Sequence, residues 1–293
     1  MEIMFWLVLS LATAFFTAAG DALTKHYLRP LGTAKMALAR VLGPIIILLP
    51  LLFLQSWPAL DHTFWKTVLV LLPLETTALM CYMEAIRISP LSLTVPFLAF
   101  TPAFMILTGA LILGEHLTRQ GILGIFLIVF GSYALHFNTL RHGLTAPVKA
   151  IFKEKGSVLM LLVAFLYAIT SVLGKLAVKH SNPFFFACFY FVLHGLFATA
   201  LLAFFFKAYP LSLVRACPKG VFFIGITQSA MVICHMWAIS LAPAAYMIAV
   251  KRLSVLFGVL MGGIFFREEA MWSRLLGAGL MLLGVFLIAL SGP

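Results

Sequence analysis

Two stretches, MCYMEAIRISP at residues 80–90 and ICHMWAISLAP at 233–243, decide how the rest of the chain is read. They share Cys81/Cys234, Met83/Met236, Ala85/Ala238, Ile86/Ile239 and Pro90/Pro243, and the register runs on without a gap, at an offset of 153, to residues 134 and 287. Phe104/Phe257, Leu107/Leu260, Gly109/Gly262, Glu115/Glu268, Leu123/Leu276, Gly124/Gly277, Leu127/Leu280 and Gly131/Gly284 are identical in the same register. Apolar composition would align Leu with Leu, but it would not align Pro with Pro, Glu with Glu and three Gly with three Gly. A fainter echo at an offset of 150 joins Leu23/Leu173, Lys25/Lys175 and Ala37/Ala187. The change of offset predicts a three-residue length difference between the second and third segments of each copy. The chain is a duplication.

The duplicated unit belongs in a bilayer. Of the 293 residues 63% are hydrophobic and 10% charged, with a mean hydropathy of +1.11, more apolar surface than a soluble domain buries. A hydrocarbon core about 30 Å thick asks for about 20 apolar residues per helix. Such runs occur at roughly 3–25, 34–54, 64–86, 91–113, 119–137, 157–178, 184–206, 220–241, 244–266 and 271–291. The expected fold is therefore an all-α integral membrane protein of ten transmembrane helices. A five-helix repeat over 1–137 is joined to a second over 156–293 by the polar linker 138–155. Because five is odd, the second copy enters from the opposite side and must be inverted. Inverted repeats of this kind place a ligand site near the membrane midplane and move by rocking one bundle against the other. A cleaved leader is not expected, since the first 20 residues carry Glu2 and no Lys or Arg and have a counterpart at 157–178.

The net charge of +11 does not indicate nucleic acid, because the basic residues are scattered over short connections instead of gathering on one face with aromatics. Most lie on the odd-numbered connections, which by the loop-charge rule would face the cytoplasm and put both termini outside. Cys81, Cys188, Cys217 and Cys234 form no CxxC and read as small packing residues. No nucleophile elbow, P-loop or HExxH is present, so neither covalent chemistry nor a metal or cofactor is expected.

Ionisable residues inside spans are costly and therefore candidates for function. Lys251 and Arg252 lie seven and eight residues into the ninth span, and their counterparts in the first copy are Leu98 and Ala99. The pair breaks the repeat, and snorkelling to the interface is the alternative reading. Arg40 lies in the second span. Lys25 and Lys175 close the first helix of each copy, and Asp21, one turn before Lys25, is placed to neutralise it. Glu75, mid-span after Pro73, has no base at i±3 or i±4 and reads as a proton carrier, a structural acid, or a partner for Arg40, Lys251 or Arg252. Glu84 reads as the partner of Arg87. Tyr82, His235, Trp237 and Tyr246 are candidates to line a cavity. Interior Pro90, Pro96 and Pro102 predict a kinked fourth span, and Gly258, Gly262 and Gly263 a close-packed face on the ninth. The surplus of Lys and Arg over carboxylates favours an anionic or zwitterionic solute.

The motif Gly114-Glu115-His116-Leu117-Thr118 after the fourth span, Arg267-Glu268-Glu269 after the ninth, the paired Lys25 and Lys175, and the five-plus-five layout resemble the EamA-type members of the drug/metabolite transporter superfamily. Arg267 departs from the motif, which has Gly there. Tyr246 to Gly258 looks like a bacterial subgroup, and Lys251-Arg252 is similar to the Lys-Arg pair of the related sugar-phosphate and nucleotide-sugar transporters. The resemblance implies a secondary transporter in a bacterial inner membrane, working by alternating access without ATP. It would be an exporter or exchanger, monomer or homodimer, for a small organic anion or zwitterion held by Lys251 and Arg252. Relatives with cytoplasmic termini oppose the loop-charge reading, so both orientations stand. The alternative from another class is a flippase or scaffold for lipid-linked substrates.

Overall fold

The structure, a computed structural model, describes residues 2–89, 94–134, 155–257 and 271–292. The linker 138–154, the Pro90 entry to the fourth span, the Gly258–Gly263 face and the Arg267-Glu268-Glu269 element lie outside the described residues.

Helix follows helix in the expected order: α1 (Glu2–Leu28), α2 (Thr33–Phe53), α3 (His62–Ile88), α4 (Thr101–Leu113), α5 (Arg119–Ala134), α6 (Lys155–Lys179), α7 (Pro183–Phe206), α8 (Pro218–Leu241), α9 (Ala244–Lys251) and α10 (Met271–Ser291). Six of them, α1, α2, α3, α6, α7 and α8, are long and apolar enough to cross a bilayer by themselves. A short helix, Pro210–Ala216, precedes α8. It sits in the connection 207–217, eleven residues long, whose counterpart 54–61 has eight. The three-residue difference is where the change of offset placed it.

Local chemistry explains why these apolar segments are helices with defined ends. Hydroxyls that would be unpaired in lipid donate to the carbonyl one turn back: Ser10 to Trp6, Thr13 to Leu9, Thr17 to Thr13 and Thr24 to Gly20, at 2.7–2.8 Å. Asp61 caps α3 by accepting from the Phe64 N–H at 2.8 Å, and Asn182 caps α7 through Phe185 N–H at 2.7 Å. That Phe64 N–H, with His180 Nδ1 2.7 Å from the other carboxylate oxygen, holds the Asp61 carboxyl below the usual carboxylate range. Gly114 ends α4 in the left-handed region, at φ 67°, a conformation that costs glycine little.

The close helix contacts are those an inverted repeat demands. A Cβ on Gly124 (α5) would meet the Gly284 carbonyl of α10, and one on Gly131 would meet the Gly277 carbonyl. The repeat carries 124 onto 277 and 131 onto 284, so these two contacts exchange with each other and the helices run antiparallel. In α7 a Cβ on Gly195 would strike Ile45 of α2, its own counterpart at the offset of 150. The pseudo-two-fold axis therefore passes through the α2/α7 and α5/α10 crossings. Off the axis the halves differ. Gly43 of α2 and Gly225 of α8 bring their backbones into contact, whereas their images are Leu193 and Leu72.

The fourth and ninth spans both lose α geometry at one register. Residues Val95–Phe100 form a 3-10 helix that leads into α4. The loss of α geometry around Pro96 and Pro102 lies where the prolines predict an interruption. In the ninth span α9 stops at Lys251, and Arg252 and Leu253 form a turn closed by Leu253 N–H to Val250 O at 3.0 Å and Val255 N–H to Arg252 O at 3.0 Å. Leu98-Ala99 and Lys251-Arg252 occupy these two interruptions.

Candidate functional site

A central cavity opens between α2, α3, α6, α7, α8 and the α9 break. Arg40, Glu75, Tyr82, His235, Lys251 and Arg252 line it, all candidates from the sequence. Asp21 stands directly behind them, with Oδ1 2.8 Å from Arg40 Nη1 and Oδ2 accepting from the Tyr82 hydroxyl at 2.8 Å. The Arg40 guanidinium also lies 6.0 Å from the Tyr82 ring centre. Asp21 therefore pairs with Arg40 across two helices, not with Lys25 along its own. The neutralisation expected from i,i+4 spacing gives way because Arg40 offers a buried partner, while Lys25 lies half-buried near the helix end.

Lys251 and Arg252 are held differently. Lys251 Nζ lies 3.1 Å from His235 Nδ1 and 3.7 Å from Met231 Sδ. With Lys251 as an ammonium, which can only donate, Nδ1 accepts and the neutral imidazole carries its proton on Nε2. Arg252 is 4% exposed and its Nε has no partner among the described residues. Among the described residues the ion pairs are Arg40–Asp21, Arg87–Glu84, Lys175–Glu115 and His180–Asp61, so neither Lys251 nor Arg252 is in one. Glu75 faces the cavity with the Thr170 hydroxyl beside it and Lys251 within electrostatic range.

The remaining candidates lie elsewhere. Tyr246 is 1% exposed and outside the cavity lining; its hydroxyl accepts from Thr118 N–H at 3.0 Å and fills the space over Gly121. Trp237 faces outward at 41% exposure, against Phe184. Lys175 donates to Glu115 Oε1 and to the Ala242 carbonyl, each at 2.6 Å, and Glu115 Oε2 accepts from Ala244 N–H at 2.9 Å. The Gly114–Thr118 motif thus grips the start of α9, the helix that ends in Lys251. Glu84 binds Arg87 through two hydrogen bonds, at 2.6 and 2.8 Å, and accepts from Thr33 at 2.5 Å.

Other residues reach the cavity that the sequence reading did not single out: Tyr167, Thr170, Ser171, Tyr190, His194 and Gln228. For Ser171, Tyr190 and Gln228, the images of the candidates Asp21, Arg40 and Glu75, the signal was present in the repeat. The two offsets carry Thr17, Asp21, Arg40, Pro44 and Glu75 onto Tyr167, Ser171, Tyr190, His194 and Gln228. A cavity on a two-fold axis is lined from both copies, so every candidate in one copy nominates a residue in the other.

Comparison with known proteins agrees with this architecture. No curated protein matches the chain. A solved structure described as "Crystal structure of protein" shares the fold, with a TM-score of 0.73 at 12% identity over 99% of this chain and 98% of that one. The EamA-like transporter family matches twice, over residues 4–137 and 154–290. The chain belongs to the EamA-like transporter family and is a multi-pass integral membrane protein that transports small molecules.

Proposed function

We propose that this protein is a secondary transporter of a small organic anion, bound in the central cavity by Arg252 and Lys251 and carried by alternating access. One observation carries the reading: two cationic side chains face a buried cavity with no ion-pair partner among the described residues, while Arg40 beside them is already neutralised by Asp21. An unpaired guanidinium away from bulk water is costly, and a carboxylate or phosphate supplies both the missing charge and the hydrogen bond to Nε. Glu75 is the remaining free charge of the site. With it ionised the cavity holds one surplus positive charge, with it protonated two, so proton and anion favour one another's binding. A flippase for lipid-linked substrates needs a lateral opening, which glycine-rich helix faces could line. Gly43, Gly124, Gly131, Gly195 and Gly225 are instead covered by neighbouring helices, and nothing in their packing favours it.

Counterflow into proteoliposomes, run against a panel of carboxylates, phosphorylated compounds and amino acids, tests the proposal. Arg252→Gln and Lys251→Met each weaken apparent affinity for the transported anion by about 10–100-fold, the worth of a charge-assisted hydrogen bond. Glu75→Gln abolishes the response to an imposed pH gradient. Wild-type affinity in both cation variants would overturn the anion site, and an unchanged pH response in Glu75→Gln would overturn the coupling role.

A further inference from the structure

The walls of the cavity are not chemically alike. In the first copy the ionic positions facing or backing it are Asp21, Arg40 and Glu75; their images in the second copy are Ser171, Tyr190 and Gln228. Each ionic group in the helices of one copy is thus matched by a neutral polar group in the other. Among the described residues, the second copy's charges at the cavity come from the α9 break. The wall formed by α7 and α8 is therefore neutral, and it carries unmet hydrogen bonds.

Three polar atoms of cavity-lining residues, Tyr190 Oη and His194 Nε2 on α7 and Gln228 Oε1, which is turned toward Gly20 of α1, have no hydrogen-bond partner among the described residues, and their residues are only 2%, 4% and 8% exposed. A buried polar group left unpaired costs about 1–3 kcal/mol. Three around one cavity are more readily explained by a bound solute than by tolerance of the cost. The shape of the occupant follows from the surroundings. Phe186, Tyr190 and His194 lie one turn apart on α7 with their rings nearly parallel, at 5.0 Å and 9° and then 5.9 Å and 4°. Phe191 and Met231 present apolar surface beside them. A ring with hydrogen-bonding atoms only in its own plane satisfies both features. A polyhydroxylated ring would press hydroxyls against phenylalanine and methionine.

We infer that the transported anion carries a flat heteroaromatic ring with donors and acceptors on its edge, seated against Tyr190, His194 and Gln228 while its anionic group binds Arg252 and Lys251. This inference rests on the anion site proposed above. The neutral wall sets specificity and the cationic break sets charge.

Isothermal titration of the purified full-length protein in detergent with orotate, benzoate, glucuronate and succinate separates the two readings. Orotate, a heteroaromatic carboxylate, binds at least tenfold more tightly than the other three. Tyr190→Phe and His194→Phe keep the stacked rings and delete the polar atoms, and each lowers the preference for orotate over benzoate by about tenfold. Gln228→Met, on a different helix, does the same, so a folding defect in one α7 variant does not remove the test. Arg252→Gln weakens all four ligands. If Arg252 dependence persists but orotate binds no better than succinate or glucuronate, or keeps its preference in all three wall variants, the ring pocket is overturned and the anion site survives. If no ligand depends on Arg252, the anion site fails and the ring inference falls with it.

Discussion

Asp21 holds Arg40 and Tyr82 at once, one on each carboxylate oxygen. Removing its charge leaves Arg40 buried without a counter-ion, whereas removing the Tyr82 hydroxyl takes away only one neutral donor. Asp21→Asn is therefore expected to destabilise the protein by about 3 kcal/mol or more, and Tyr82→Phe by about 1 kcal/mol, read as thermal unfolding midpoints in detergent. Equal effects would mean that the Arg40 charge is compensated elsewhere. At this scale the sequence was informative wherever the repeat broke. Lys251 and Arg252 stood out against Leu98 and Ala99 because their charge has no image. Tyr246 and Trp237 were chosen by residue type, and type does not say which way a helix is rotated. One stands over Gly121 and the other faces outward. Asp21 misled in the same way: i,i+4 spacing sees its own helix and is blind to α2.

Among the elements, α2 and α8 cross backbone to backbone at a point where the copies differ. Any Cβ on Gly43 meets the backbone of Gly225, with no flexible side chain to yield. Gly43→Leu should separate the helices and cost about 1–3 kcal/mol by overpacking. Gly279→Ala, on α10 with nothing among the described residues within 4 Å of the added methyl, should be neutral or stabilise by about 0.4–1 kcal/mol. The pair of midpoints checks whether the crossing, and not helix propensity, is responsible. Element order and the extra length before α8 were readable from apolar run length and from the shift in offset. The interruption of α9 at Lys251 was not. Periodicity of apolar residues continues through the break, and the change from α to turn geometry there is a matter of backbone hydrogen bonding that no side-chain pattern in the ninth span announces. Its first-copy counterpart was half legible, because prolines mark it.

The even-numbered connections all emerge at one end of the bundle, and two ion pairs tie that end together: Asp61 with His180, and Lys175 with Glu115. Trp57, Phe64, Phe185 and Phe189 pack edge to face and in stacks beneath the first of them. Alternating access requires this end to open at some stage of the cycle. Replacing Asp61 and His180 together by Cys and oxidising the pair should arrest counterflow, and reduction should restore it; full transport by the cross-linked protein would show that this end does not part. The α5/α10 crossing is expected to behave otherwise. Exchange of the two copies sends the Gly124–Gly284 contact to Gly277–Gly131, which is the other contact of the same crossing. If the halves trade conformations, as the proposed alternating access requires, that interface is handed back to itself and can serve as an axle while the cavity changes sides. A crossing that is its own mirror partner has no second arrangement to adopt.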